Sequence, residues 1–156
     1  MADYLAYWKI ENVREVQNTP NWSHACWGSG RRDFRTRFSR GDRIFFTTID
    51  EQGDHIIFSE IILDRYSGSK EDTEKQVPFS LSEVPFDSYW MGQEPWRRHF
   101  EIPFGDLALT LEFKSRRSLP RGYNGQNLQS IRELTPQDTS AIEDLLDEFL
   151  VQNQFS

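Results

Sequence analysis

Two apolar runs rich in β-branched and aromatic residues lie close together near the middle of the chain. They span residues 42–49 (DRIFFTTI) and 55–63 (HIIFSEIIL), and the short polar stretch EQGD comes between them. Residues of these types favour strands, and so short a turn brings successive strands side by side. The pattern predicts a β-hairpin, so the fold must contain a sheet built around it.

Further strands are predicted from composition and alternation. Residues 4–10 (YLAYWKI) and 98–104 (RHFEIPF) are rich in aromatic and branched side chains. In residues 106–113 (DLALTLEF), leucines alternate with smaller or polar residues, which is the period of a half-buried strand. Residues 67–76 (SGSKEDTEKQ) are polar and predict a loop.

The strongest helix signal lies near the C-terminal end. Thr135 can cap a helix, Pro136 suits its first position, and Asp138 follows in the first turn. The apolar stripe that follows has helical spacing and consists of Ile142, Leu145, Leu146, Phe149 and Leu150. Shorter helices are predicted at residues 31–38, where Phe34 and Phe38 lie four apart, and at residues 12–17.

These elements predict one α+β domain over residues 1–156, with a small curved sheet or open barrel of five or six strands flanked by short helices. Aromatic residues make up 14% of the 156 residues, so large rings must supply the core. A single cysteine, Cys26, excludes an internal disulfide and predicts a buried thiol. No apolar run approaches the roughly 20 residues that span a bilayer, which predicts a cytoplasmic protein without a membrane partner.

Charge is segregated along the chain, although the net charge is −7. Residues 27–43 hold six arginines against two acids, whereas residues 133–156 hold six acids and no base. Arginine suits bidentate phosphate contacts. The candidate phosphate ligands are Arg31, Arg32, Arg35, Arg37, Arg97 and Arg98.

Enzymatic motifs are absent from the sequence. His24, His55 and His99 show no metal-ligand spacing, and the chain has no nucleophile elbow, Walker loop or dinucleotide fingerprint. The sequence therefore predicts no metal, no cofactor and no catalytic residue. A hydrogen-bonding role is expected for His24.

Two pairs of tryptophans lie in polar segments near arginines. Trp22 and Trp27 precede the first arginine cluster, and Trp90 and Trp96 lie in a segment punctuated by Gly and Pro. Rings on separate loops can sandwich a flat ligand, and stacking on a nucleobase is worth roughly 1–3 kcal/mol per base. The pattern indicates a nucleobase site, with packing in the core as the alternative for each ring.

Several segments together resemble the YTH domains, within the PUA-like group that also includes EVE domains. Residues 25–29 (ACWGS) resemble the family's Trp-Ser-Thr segment, and residues 121–126 (RGYNGQ) resemble its Arg-Asp-Gly-Gln stretch. The remaining similar segments are residues 4–13, 34–40, 44–63 and 99–102, with Trp90 and Trp96 at the positions of cage tryptophans.

The resemblance implies a PUA-like fold and a set of binding roles. Trp27, Trp90 and Trp96 would enclose a methylated base, while Asn12 would bind its edge. Ser29 and nearby backbone groups would hold the exocyclic amine, and Arg121 would bind a phosphate. In an EVE-like arrangement, Trp22 or Tyr89 would share or replace cage positions.

The sequence leaves four functions open. The first is a non-catalytic reader of a methylated base in RNA or DNA, with N6-methyladenine preferred, that recruits an effector nuclease or motor protein. The second is an EVE-like reader of modified cytosine in DNA, linked to restriction or defence. The others are a small nucleotide hydrolase using His24 or His99, and a protein-interaction domain with an acidic face.

Overall fold

The computed structural model describes residues 1–19, 21–96 and 100–154 of the chain. The strands are β1 (Asp3–Tyr7), β2 (Cys26–Gly28), β3 (Arg43–Ile49), β4 (His55–Ser67), β5 (Tyr89–Gly92), β6 (Ile102–Pro103) and β7 (Arg132–Glu133). The helices are α1 (Ile10–Gln17), α2 (Trp22–Ala25), α3 (Phe34–Arg37), α4 (Lys70–Glu74), α5 (Gly105–Ala108) and α6 (Pro136–Gln154), with a 3-10 helix at Gly125–Leu128. None of the described helices has both the length and the apolar character needed to cross a membrane.

The strands form one mixed sheet in the order β2-β5-β4-β3-β1-β7, and β6 also pairs with β4. β1 runs parallel to β3, and the other pairs are antiparallel. Register shifts at Phe46/Thr47 and at Leu63/Arg65 bend the sheet, as β-bulges do. No pairing between described strands joins β2 to β7, so this curved sheet is open.

The predicted α+β class and central hairpin are confirmed. β3 and β4 pair from Arg43↔Ile62 to Ile49↔His55, as the two apolar runs predict. β4 continues to Ser67, beyond the predicted end, and pairs there with β5. The single long strand β4 therefore connects the two halves of the sheet.

The prediction of a strand at residues 106–113 is wrong. The segment begins with α5 and continues in helical turns, in which Thr110 N donates to Leu107 O and Leu111 N to Ala108 O. Its leucines face one apolar cluster without a partner strand, so their alternation reflects packing over the core. Of the strand predicted at residues 98–104, positions 98 and 99 lie outside the described residues, and the described part contains the two-residue strand β6.

The predicted C-terminal helix is confirmed as α6, and its cap has the predicted residues. Thr135 Oγ1 accepts a hydrogen bond from Asp138 N (3.1 Å), and Asp138 Oδ2 accepts one from Thr135 N (3.1 Å). The same carboxylate accepts from Glu112 N and Phe113 N at 2.9 and 2.8 Å. This buried side chain thus fixes α6 to the segment that follows α5.

The other predicted short elements are partly confirmed. α1 begins two residues before the predicted helix at residues 12–17, and α3 occupies a single turn of the predicted 31–38. The predicted loop at residues 67–76 contains α4, because the Ser69 hydroxyl accepts a hydrogen bond from Asp72 N (3.0 Å) and caps a helical turn.

Apolar side chains cover both faces of the sheet. Leu5 and Phe45 point to one cluster, whereas their neighbours Tyr4 and Phe46 point to another, as strand alternation requires. A third cluster surrounds α2 and contains the buried thiol of Cys26, whose pKa is raised to about 12 by burial. The thiol therefore stays protonated at neutral pH.

Candidate functional site

An open cavity of about 1170 Å³ lies between the end of β1, α1, residues 80–86 and the 3-10 helix. Typical ligand pockets measure about 300–1,000 Å³, so this space can hold a nucleotide. The lining residues are Tyr7, Trp8, Lys9, Asn12, Glu15, Val16, Thr19, Trp22, Gly28, Ser80, Glu83, Val84, Pro85, Phe86, Asn124, Gly125, Gln126 and Gln129.

Aromatic rings in the cavity wall are fixed by the core behind them. Trp8 is half-buried and packs on Phe46 and Phe58 with ring centroids 5.2 and 5.5 Å apart. Trp22 on α2 packs on Phe79 at 5.1 Å. Because these contacts hold the indoles, the cavity presents preformed apolar surface.

Two glycines allow rings to lie against the cavity wall. A Cβ atom at Gly28 would lie 2.8 Å from Tyr89 Cε1 and 3.0 Å from Phe86 Cδ2. A Cβ atom at Gly125 would lie 2.6 Å from Tyr7 Cε1. Any larger residue at either position would have to displace a ring at the cavity.

Carboxamides supply most of the uncharged polar groups in the cavity. Asn124 Oδ1 accepts a hydrogen bond from Gln126 N (2.9 Å) and so caps the 3-10 helix. The side chains of Asn12, Gln126 and Gln129 are exposed and form no hydrogen bond within the described ranges. Each can donate and accept at once, which is the pattern that matches the edge of a base.

An ion-pair network holds α1, which carries Asn12. Arg14 reaches Glu51 beyond β3 and Glu101 before β6, both at 2.8 Å. The hydrogen bond from Arg14 lowers the pKa of the Glu51 carboxyl to about 2. Val13, fully buried, anchors the opposite side of the helix.

Asn12 and Trp22 are the two predicted base-binding residues that line the cavity. Ser29 directly follows Gly28 in the cavity wall, and its hydroxyl accepts a hydrogen bond from Arg31 N at 3.1 Å. Trp96 packs against the same apolar cluster as Trp22. Asn12 and Trp22 therefore line the cavity, and Ser29 is the neighbour in sequence of a lining residue.

Trp27 and Trp90 lie together, but inside the core. They are paired across β2 and β5 and are only 5% and 6% exposed. Trp27 makes edge contacts with Phe34 and Phe38, and Trp90 Nε1 donates to Phe34 O at 2.9 Å. Neither ring lines the cavity, so their part in ligand binding stays a prediction, while packing is what the geometry shows.

Several cavity residues were not predicted from sequence. Trp8 belongs to the run predicted as the first strand and directly follows β1, and its sequence context indicates no binding role. Phe86 and Glu83 belong to an irregular segment with no motif, and they reach the cavity through long-range packing. The 121–126 stretch resembles a family segment, and its residues Asn124, Gly125 and Gln126 line the cavity.

Exposed arginines lie close along the chain to two parts of the cavity wall. Arg31 follows Gly28 by three residues, and Arg121 precedes Asn124 by three, so each Cα lies within about 11 Å of a lining residue. Arg32 and Arg35 continue the first segment, while Arg37 donates to Ile131 O (2.7 Å). Arg97 and Arg98 lie outside the described residues.

The histidines show no catalytic arrangement in the described ranges. His24 Nδ1 lies 2.8 Å from Ser59 Oγ, which accepts from Ser23 Oγ at 2.9 Å, and all three residues are buried. Burial lowers the pKa of His55, whose ring packs on Tyr123. His99 lies outside the described residues, and no three described His, Cys, Asp or Glu side chains are placed to hold a metal ion.

Comparison with solved structures identifies the architecture. The N-terminal domain of Thermococcus gammatolerans McrB, bound to m5C DNA, matches with a TM-score of 0.52 and 11% identity over 96% of this chain and 99% of that chain. An ASCH protein from Zymomonas mobilis matches with a TM-score of 0.51 and 11% identity over 92% and 95% of the two chains. The fold is PUA-like.

A Pseudomonas putida protein has a similar structure, with a TM-score of 0.50 and 18% identity over 92% of this chain and 99% of that chain. No family model matches the sequence, and no curated protein does. The structural similarity establishes the PUA-like fold. Sequence identities this low do not assign the chain to a subgroup within that fold. The YTH-specific resemblance therefore stays a prediction.

Proposed function

We propose that this chain binds a methylated base in nucleic acid, with 5-methylcytosine in DNA as the first candidate, and that it does so without catalysing a reaction. The observation that carries the proposal is the cavity, whose wall combines fixed aromatic rings with exposed carboxamides that have no partner among the described residues. Arginines follow one part of this wall and precede another along the chain. Rings stack on a base, carboxamides bind its edge, and arginines hold the flanking phosphates.

The cavity fits a base that has left its stack. A methyl group adds little to the binding free energy while the base stays exposed. Complete burial of the group is worth about 0.8 kcal/mol. Contact with Trp8, Trp22 and Phe86, which line the cavity, would bury the methyl group and let the protein use that energy. Flipping a base from a duplex costs a few kcal/mol, which phosphate contacts from Arg31, Arg32 and Arg121 offset.

The m5C DNA bound to the PUA-like McrB domain supports the choice of base and of nucleic acid. N6-methyladenine, which the YTH resemblance favours, is the competing candidate and is tested in the same assay. A binding domain has no output of its own. We therefore propose that it acts by recruiting another activity, such as a nuclease or a motor protein.

We expect a DNA oligonucleotide with one 5-methylcytosine to bind about fourfold or more tightly than its unmodified counterpart, as the energy of one buried methyl group implies. Asn12→Ala should weaken binding of the methylated oligonucleotide by about tenfold, because a bidentate base contact is lost. Fluorescence anisotropy at fixed salt measures both effects, with N6-methyladenine in a parallel oligonucleotide.

Asn18→Ala is the matched control, since Asn18 is exposed just after α1 and does not line the cavity. It should bind as the wild type does. Equal affinities for methylated and unmodified DNA would remove the proposed function. A preference confined to N6-methyladenine would make that base the ligand instead of 5-methylcytosine.

Arg121→Ala should weaken methylated and unmodified oligonucleotides equally. A phosphate contact carries no base information, and its loss should lower the slope of log affinity against log salt by about one. Titrations at several salt concentrations measure the slope, with Lys75→Ala as a charge-matched control far from Arg121 in sequence. A loss limited to the methylated ligand would place Arg121 at the base instead.

A further inference from the structure

We infer that Glu15 and Glu83 make the cavity selective for a base with an amino group on its pairing edge, such as cytosine or adenine, over thymine or uracil. The inference rests on the proposed function. Glu15 lies on α1 and Glu83 in the 80–86 segment, so two separate elements bring a carboxylate to one cavity.

These two carboxylates differ from the acids that pair with basic groups of this chain. Asp3, Glu51, Glu101 and Glu133 each form an ion pair with an arginine or a lysine. By contrast, neither Glu15 nor Glu83 has a side-chain hydrogen bond or ion pair to any described residue, and both side chains are exposed.

Unpaired carboxylates impose a definite requirement on a ligand. An ionised carboxylate only accepts hydrogen bonds, so it attracts N–H groups and repels phosphate and carbonyl oxygens. Lys9 is the one basic residue among the lining residues, so the wall opposes phosphate overall. In this proposal the phosphates stay outside the cavity, where Arg31 and Arg121 can bind them, while the base enters it.

The bases differ at the position that such an acceptor reads. Cytosine carries an amino group at N4 and adenine one at N6, whereas thymine and uracil carry a carbonyl oxygen at O4. The N4 amine of 5-methylcytosine offers two N–H groups, so each carboxylate that reaches it has a donor to accept from. N6-methyladenine retains only one N–H there, so this wall favours 5-methylcytosine between the two methylated candidates.

Thymine is the ideal comparison because it has the same ring size and the same 5-methyl group as 5-methylcytosine. Two single-stranded DNA oligonucleotides that differ only in this base at one position isolate the amino group. We expect the wild type to prefer 5-methylcytosine by about tenfold, the size of one well-placed polar base contact.

Glu15→Gln, Glu83→Gln and the double variant test the assignment. An amide can turn either its oxygen or its NH₂ to the ligand, so the double variant should reduce the tenfold ratio to below about threefold. Removing negative charge raises affinity for all DNA, so the measured quantity is the ratio of the two dissociation constants. Glu112→Gln, an exposed acid outside the cavity, should keep the wild-type ratio.

The outcomes separate this inference from the proposed function. Equal wild-type binding of the two oligonucleotides, or a tenfold ratio that survives in the double variant, overturns the selectivity. Equal binding of 5-methylcytosine and cytosine, with thymine still rejected, overturns the methyl preference but supports the selectivity assigned to Glu15 and Glu83. Absence of binding to every oligonucleotide overturns both.

Discussion

Trp27→Ala should lower the free energy of unfolding by about 3–5 kcal/mol, the usual cost of deleting a large buried aromatic side chain. The indole is 5% exposed, and its ring lies 4.8, 5.1 and 5.6 Å from the rings of Phe34, Phe38 and Phe46. Its removal leaves a cavity between a strand, a helix and the sheet. Urea denaturation followed by fluorescence and circular dichroism measures the change.

Trp27→Phe is the matched control because it keeps an aromatic ring in the cluster, and it should cost clearly less than Trp27→Ala because it leaves a smaller cavity. The cage role predicted from sequence gives the opposite result. If Trp27→Ala kept the wild-type urea midpoint and lost only the preference for a methylated base, the indole would belong to the binding site.

Local sequence patterns predicted the elements that carry their own signals. The hairpin of β3 and β4 has two long β-branched runs and a short turn, and α6 has a cap and a full apolar stripe. Each pattern reports burial along one element. These elements therefore have the predicted type, and β3 and the start of β4 lie within one residue of the predicted positions.

Residues 106–113 and the Trp27/Trp90 pair show where such patterns fail. The alternating pattern of leucines is the same in a strand of a sheet and in helical turns packed on the core. No described strand pairs with that segment. β2 has only three residues and β5 has four, too few to show a period. The two tryptophans become core residues through a pairing between distant strands.

The candidate site could be predicted only in part for the same reason. Asn12, Trp22 and the stretch around Asn124 come from three distant parts of the chain, and family resemblance indicated each of them separately. The carboxylates Glu15 and Glu83 carry no such signal, because an exposed glutamate is ordinary in any chain. Their shared cavity becomes visible only when α1 and the 80–86 segment lie side by side.

Gly92→Ala should destabilise the protein by about 3 kcal/mol or more, at or above the upper end of typical overpacking effects. A Cβ atom at position 92 would lie 2.0 Å from the backbone oxygen of His24 and 3.1 Å from Ile61 Cγ1. A backbone oxygen cannot rotate away as a side chain can. The added methyl group must therefore push α2 away from β5, and Trp22 in α2 moves with it.

This substitution links the sheet to the cavity, so two measurements are expected to change together. The urea midpoint should fall, and the fraction that stays folded at low temperature should bind methylated DNA more weakly, because α2 no longer holds Trp22 in the cavity wall. Gly68→Ala is the control, since its Cβ would meet only Tyr66 Cε1 at 3.7 Å, an ordinary contact. Wild-type stability in Gly92→Ala would show that α2 does not pack closely against β5, and would also remove the placement of Trp22 at the cavity.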